Sequence, residues 1–266
     1  MHPDISEFSY GYALTEELIH GSKLPLRAAP LFPSLIEEGR AGGGFDVQIP
    51  FIGFPLFLQF KLSHCMVRHT AAECTAGYLA APFYRMHLRP GRHSRQHQLL
   101  LDLEAKGKLV YYAAPEFHRP HELNDAYLGR CVVDRSLFIK PSDIGPLPDD
   151  EDHHVAFRSG VGAYFCSEPR AIRGEEPFRN SFDQDLVAGF EHRSKFDGSR
   201  ESVERLASDL LNCVRERIPA FELRSQQREN LQARQPRFQI AYLLRAFFGC
   251  EAILIGPDKK KKADAG

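Results

Sequence analysis

Three polar residues occur at regular positions within two neighbouring apolar runs. Asp46 lies in the first run, and Gln59 and Lys61 end the second, in the sequence GGGFDVQIPFIGFPLFLQFK of residues 42–61. If the runs pair as an antiparallel hairpin across residues 50–55, Asp46 lies opposite Gln59, and directly opposed residues share a face. Lys61, two residues further on, shares that face. The pattern predicts that a carboxylate, an amide and an ammonium converge at one end of a hairpin.

These residue types suit metal-assisted hydrolysis of a phosphodiester bond. Asp46 and the Gln59 amide oxygen can hold Mg²⁺ (or Mn²⁺), because Mg²⁺ takes oxygen ligands and keeps several waters. Lys61 can orient or deprotonate the attacking water and stabilise negative charge that develops on phosphate. The competing interpretation is structural, since apolar and polar residues alternate in any half-exposed antiparallel strand.

The motif resembles that of the PD-(D/E)XK nuclease superfamily, in particular its Mrr-type branch, in which QxK replaces ExK. Asp46 is followed, after twelve intervening residues, by Gln59-Phe60-Lys61. The predicted element order over residues 6–145 is also similar: a helix, a hairpin with the motif, then helix, strand, helix and strand. The resemblance implies a Mg²⁺-dependent endodeoxyribonuclease with catalytic Asp46, Gln59 and Lys61, of the kind found in bacterial anti-phage defence effectors. DNA is the expected substrate and RNA the alternative.

A further carboxylate is expected near Gln59, because one carboxylate and one neutral amide offer Mg²⁺ little negative charge. In the resembled family, a glutamate of the first helix supplies it. Glu17 is preferred for this role because it adjoins the apolar face of the first predicted helix, and Glu16 is the neighbouring alternative. Glu37 and Glu38, just before the glycines, are the rival source. Without the resemblance, Glu16 and Glu17 are more typical of a solvated helix face.

A group of arginines soon after the motif predicts a surface that contacts the phosphate backbone: Arg85, Arg89, Arg92 and Arg95. The formal net charge of the chain is −1. A nuclease with so little overall charge must concentrate positive charge locally. The alternative is a solvated basic loop.

Composition bounds the class of protein. The chain has 266 residues, 43% hydrophobic and 26% charged, which is ordinary for a soluble globular protein. It lacks an apolar run of ~18 residues, so no membrane span is expected, and its start lacks the features of a signal peptide. Six cysteines without a CxxC pair predict reduced thiols in the cytoplasm. Two other sets of metal-ligand residue types are weaker candidates. His93 and His97 have the i, i+4 spacing of a helical metal pair, but no third ligand is evident in the sequence. The spacing of Cys65, His64, His69 and Cys74 fits no structural-zinc pattern.

The order of predicted elements indicates an α/β fold. We expect a restriction-endonuclease-like core, with a mixed central sheet flanked by helices, over residues 1–174. A mostly helical region with a basic tail follows over residues 175–266. The clearest element is an amphipathic helix after Ser199, with Val203, Leu206 and Leu210 at helical spacing.

Partners and a rival function follow from the same resemblance. Besides DNA, the sequence is compatible with a partner ATPase, helicase or sensor subunit and with oligomerisation. The rival is a catalytically inactive nuclease-like subunit that binds nucleic acid or a partner protein, because the neutral Gln59 reduces the charge offered to a metal.

Overall fold

The computed structural model of the chain describes residues 1–21, 54–174, 177–192, 196, 199–219, 222–223, 225, 227, 231 and 236–255. Its helices are α1 Glu7–Gly21, α2 Ala72–Thr75, α3 Gln96–Ala105, α4 Pro120–Leu128, α5 Pro141–Ile144, α6 Phe178–His192, α7 Arg200–Arg217 and α8 Pro236–Leu243, the last continued by a π-helical turn, Leu244–Phe248. Its strands are β1 Phe54–Phe60, β2 Ser63–Met66, β3 Phe83–Leu88, β4 Leu109–Pro115, β5 Ser136–Ile139, β6 His153–Arg158, β7 Gly162–Phe165, β8 Arg170–Arg173 and β9 Glu251–Ile255.

The strand that carries the motif, β1, lies inside a four-stranded mixed sheet of order β5-β4-β1-β9. It pairs in parallel with β4 and antiparallel with β9, so that Gln59 is beside Tyr112 and Leu58 beside Glu251. All seven residues of β1 and all seven of β4 are buried. Continuous burial is typical of a parallel pair that is covered on both faces.

A second sheet is antiparallel, with the order β2-β3-β6-β7-β8. Its β6–β7 hairpin places Arg158 beside Gly162 and Val155 beside Phe165. One face of this sheet, with Val155 and Phe165, belongs to the main hydrophobic core. The other face carries a small apolar cluster around Leu79 and Ala156 and, beside it, a row of polar side chains.

Helices cover both faces of the first sheet. On one face, Tyr10 and Leu14 of α1 pack in a cluster with Leu58 and Phe60 of β1. On the other face, Phe57 shares the main cluster with residues of α3 and α7. Helix α7 begins as predicted, because the Ser199 hydroxyl accepts a hydrogen bond from the backbone N–H of Ser202 at 3.2 Å. Such a cap satisfies one of the donors left open at a helix start.

One core joins the two predicted regions. The main cluster contains residues from both sides of position 174, including Phe57, Leu210 and Ala252. In addition, β9, from the predicted helical region, completes the sheet beside β1. Residues 175–266 therefore contribute a strand and core residues to the same unit as residues 1–174.

The mixed α/β class is as predicted, with two sheets flanked by helices. The predicted hairpin needs correction, because the antiparallel neighbour of β1 is β9; the run that contains Asp46 lies outside the described residues. The half-exposed strand of the competing structural interpretation is also wrong, since β1 is buried on both faces. Within the described ranges, every helix is too short or too polar to cross a membrane.

Candidate functional site

Lys61 follows directly after β1 and is held there by β4. Its backbone N–H donates to the Ala113 carbonyl at 2.9 Å. Its side chain is only 7% exposed, and the ammonium donates a long hydrogen bond of 3.4 Å to the Gln96 Oε1 atom in the first turn of α3. The crossover helix between the parallel strands therefore supplies the acceptor for the lysine at the carboxyl end of β1.

Gln59 lies on the same buried face. Its Nε2 group donates to the Phe60 carbonyl at 3.2 Å, while its buried Oε1 atom has no hydrogen-bond partner among the described residues. Gly249 approaches from the turn before β9 with a left-handed φ of 59°. A Cβ atom there would lie 2.0 Å from Gln96 Nε2 and 3.2 Å from Gln59 Oε1. We call Gln59, Lys61, Gln96 and Gly249 the Gln–Lys site.

The electrostatics of this site disfavour a charged lysine. Burial lowers the pKa of Lys61 to about 8, Glu7 opposes the change, and Arg89 adds to it. A buried ammonium is normally paired with a carboxylate. In the Gln–Lys site, the hydrogen-bond acceptor of Lys61 is instead a neutral amide. The site therefore keeps its positive charge close to neutral oxygen atoms.

The predicted carboxylates lie in different places. Asp46, Glu37 and Glu38 are outside the described residues. Glu17 is buried, and its carboxylate accepts hydrogen bonds from the backbone N–H groups of Val132 at 2.7 Å and Val133 at 3.3 Å.

Burial raises the pKa of Glu17, although these two N–H groups favour the charged form. Glu16 instead forms an ion pair with Arg130, and that hydrogen bond lowers its pKa. Glu16 and Glu17 therefore bind the segment that follows α4 rather than the Gln–Lys site.

The four predicted phosphate-binding arginines differ in their contacts. Arg85 forms a bidentate ion pair with the buried Glu73, with Nε 2.7 Å from Oε1. Arg92 and Arg95 form exposed ion pairs with the carboxylates of Glu151, at 2.8 Å, and of Glu222, at 3.5 Å. Arg89 is exposed and has no ion pair within the described part of the chain.

These contacts separate the arginines into two groups. Exposed ion pairs contribute little and exchange easily with other anions. Arg89, Arg92 and Arg95 are exposed side chains, whereas Arg85 is held by its buried partner.

A second polar cluster, which the sequence did not predict, lies on the outer face of the five-stranded sheet. The Glu–His–Cys cluster consists of Glu73, His154 and Cys166, whose ligand atoms lie within 4.8 Å of one another. Burial opposes the charged form of Glu73, but hydrogen bonds from Arg85 and His154 outweigh it and hold the pKa at about 2. Burial raises the pKa of the Cys166 thiol to about 12, and the neighbouring Glu73 carboxylate adds to the effect.

The residues missed from the sequence differ in how well they could have been found. Gln96 and Gly249 reach the Gln–Lys site through long-range packing, and no spacing in the sequence indicates them. His154 and Cys166 lie opposite each other at the end of the β6–β7 hairpin, so the register of this local hairpin could have paired them. Within this cluster, only the position of Glu73 depends on how distant elements pack.

Comparison of the chain with family models, with curated proteins and with solved structures finds no match.

Proposed function

We propose that the chain is a Mg²⁺-dependent nuclease that hydrolyses phosphodiester bonds of nucleic acid, DNA rather than RNA, at the Gln–Lys site. One observation carries the proposal: a lysine ammonium and an amide oxygen, the latter without a hydrogen-bond partner among the described residues, are buried together at the carboxyl end of β1. Buried polar groups almost always have partners, and each exception calls for an explanation. In open α/β sheets, ligands bind at the carboxyl ends of strands. A restriction-endonuclease-like core, with β1 and β4 as its parallel pair, belongs to this proposal.

The residues present fit a magnesium ion in part. Gln59 Oε1 offers an oxygen that is free of other partners among the described residues. Lys61 carries a positive charge and cannot be a ligand in that form. Gln59 would therefore bind the ion together with a carboxylate, and Asp46 is the residue that we propose for it, since Mg²⁺ requires charged oxygen ligands.

Each residue of the Gln–Lys site would have a separate role in hydrolysis. Bound Mg²⁺ polarises phosphate oxygens and lowers the pKa of a coordinated water. Lys61 would donate hydrogen bonds to the phosphate oxygen on which negative charge develops, and burial strengthens this interaction because less water screens it. Gln96 holds the Lys61 ammonium through its Oε1 atom. Gly249 lets the backbone approach both glutamines without a side chain.

Nucleic acid would reach this site along the exposed arginines. Arg89 is close enough to influence the pKa of Lys61, and Arg92 and Arg95 hold only exposed ion pairs. A polyanion can displace such partners, since exposed pairs contribute little. Within this proposal, the chain is the effector of an anti-phage system, and a partner ATPase, helicase or sensor subunit would deliver the substrate.

The rival function is a nuclease-like subunit that binds nucleic acid or a partner protein without cleaving it. It is favoured by the neutral Gln59 side chain at the position where a charged ligand would bind a metal more tightly. Titration with Mg²⁺ separates the two functions, because cleavage by a nuclease depends on Mg²⁺, whereas the inactive nuclease-like subunit requires no Mg²⁺ to bind nucleic acid or a partner protein.

The substitution Gln59→Glu tests the proposed metal ligand. A glutamate side chain has the same length and adds a negative charge. The affinity for Mg²⁺, measured by calorimetry, should therefore be higher in the variant than in the wild type. Gln239→Glu is the matched control, because it makes the same change outside the Gln–Lys site. Gln239 lies in α8, and its amide donates to a backbone carbonyl, that of Leu231, at 2.8 Å. The control should leave Mg²⁺ affinity unchanged. Weaker Mg²⁺ binding in Gln59→Glu would remove Gln59 from the ligand set.

A further inference from the structure

The outer face of the five-stranded sheet brings three chemically different ligand groups together. The Cys166 N–H donates to the His154 carbonyl at 3.2 Å, which makes the two residues a directly opposed pair beyond the end of β7. Directly opposed residues point to the same face. Helix α2 covers that face and delivers Glu73, which is 3% exposed.

The distances from His154 and Cys166 to Glu73 are close to those of a tetrahedral metal site. His154 Nε2 lies 3.1 Å from Glu73 Oε1, and Cys166 Sγ lies 3.6 Å from the same oxygen. Zinc bonds of ~2.0–2.3 Å at tetrahedral angles place nitrogen and oxygen ligands ~3.4 Å apart, and sulfur and oxygen ligands ~3.6 Å apart. Both distances to Glu73 Oε1 lie within a few tenths of an ångström of these values, and all three donor atoms lie within 4.8 Å of one another.

The ion pair between Glu73 and Arg85 is compatible with a metal. A carboxylate has two oxygens and about four lone-pair positions. The Arg85 guanidinium occupies one position on each oxygen. When zinc replaces the hydrogen bonds from His154 and Cys166, a lone pair of Oε1 becomes available to it. Arg85 then has the role of an outer partner that fixes the orientation of a ligating carboxylate.

We infer that Glu73, His154 and Cys166 form a site for a borderline-soft divalent ion, Zn²⁺, with three protein ligands and the fourth position open to water. Binding releases the Cys166 thiol proton to solvent, because the thiolate is the ligand, and His154 binds through Nε2 as the neutral tautomer that carries its proton on Nδ1. Sulfur and nitrogen donors favour zinc over magnesium, which prefers oxygen alone. This site shares no residue with the Gln–Lys site, so the zinc inference does not depend on the nuclease proposal.

Cobalt and zinc titrations of the full chain test this inference. The chain, freed of metal with a chelator, is titrated with Co²⁺, and Zn²⁺ affinity is measured by competition with a chromogenic chelator. We expect one equivalent of Co²⁺ to give a thiolate-to-cobalt charge-transfer band and tetrahedral visible bands, and one equivalent of Zn²⁺ to bleach them.

Three variants locate the site. Cys166→Ser should lose the charge-transfer band, and His154→Gln should weaken Zn²⁺ binding by more than the ~10–100-fold that loss of an outer partner costs. Cys131→Ser is the matched control, since Cys131 is also half-buried and donates to a backbone carbonyl, of Ala126, at 3.6 Å. It should behave as the wild type. A cobalt spectrum without a thiolate band, or unchanged zinc affinity in both His154→Gln and Cys166→Ser, would overturn the inference.

Discussion

Replacing Gly249 with alanine tests whether the Gln–Lys site is arranged as described. The glycine has a φ of 59°, and a Cβ atom added to it would lie 2.0 Å from Gln96 Nε2. That separation is far below contact distance, so the Gln96 amide must turn away in the variant. The same amide accepts the hydrogen bond from Lys61, so the substitution should leave a buried ammonium without its acceptor.

The expected loss of stability has two parts. A non-glycine residue in the left-handed region costs about 1–2 kcal/mol. Loss of a hydrogen bond to a charged group costs about 1.5–3 kcal/mol, and the 3.4 Å length of this bond places it at the lower end. Together these parts predict that Gly249→Ala lowers the free energy of unfolding by about 2.5–4 kcal/mol.

Gly77→Ala is the matched control for the backbone part. Gly77 has a φ of +76°, and nothing lies within 4 Å of a Cβ atom at that position. Its substitution should cost only the backbone term, about 1–2 kcal/mol. Urea unfolding of both variants, compared at equal m-values, measures the difference. Equal losses in the two variants would show that Gln96 does not lie between Gly249 and Lys61 as described.

Three further predictions concern buried charges. Burial moves the pKa of Lys61 from 10.5 to about 8, so the folded chain loses this proton at a lower pH than the unfolded chain does. Between pH 8 and 10.5, the free energy of unfolding of the wild type should therefore rise by up to about 3 kcal/mol relative to that of Lys61→Met. Parallel pH dependence of unfolding in the two proteins would contradict this. Arg85→Met should cost about 3 kcal/mol because it strands the buried Glu73, whereas Arg92→Met, at an exposed pair, should cost less than about 1 kcal/mol; equal unfolding midpoints would refute the distinction. Glu17→Gln keeps one acceptor for two backbone donors and should lower the unfolding free energy by about 1–3 kcal/mol, and an unchanged midpoint would argue against its contacts with the backbone.

Local patterns were sufficient to predict many single elements of the fold. The helical spacing of Val203, Leu206 and Leu210 predicts α7, and all three residues are buried on its inner face. The cap at Ser199 is likewise a local feature, since its partner is only three residues away. Such contacts join neighbours in sequence, so periodicity and residue type are enough to find them.

The arrangement of the elements could not be predicted in the same way. The antiparallel neighbour of β1 lies almost two hundred residues away, with Leu58 beside Glu251, and an equally apolar run next to β1 in the sequence suggested a hairpin instead. The alternation of apolar and polar residues that ends at Lys61 is also typical of a half-exposed strand, yet Lys61 is buried next to Gln96 of α3. Burial of a long polar side chain depends on which helix covers it, and residue alternation contains no such information.

Cleavage of nucleic acid by the wild type and by Lys61→Met is the most direct test of the proposed nuclease. Plasmid and single-stranded DNA are incubated with the chain in Mg²⁺ and in EDTA, with Lys106→Met as the matched control, since Lys106 pairs with Glu216 at 3.6 Å. We predict Mg²⁺-dependent cleavage by the wild type and by Lys106→Met, and a loss of about 10²–10³-fold or more in Lys61→Met, as for removal of one donor to a developing negative charge. Undiminished cleavage by Lys61→Met, or wild-type protein that binds DNA but leaves it intact in Mg²⁺, would contradict the account.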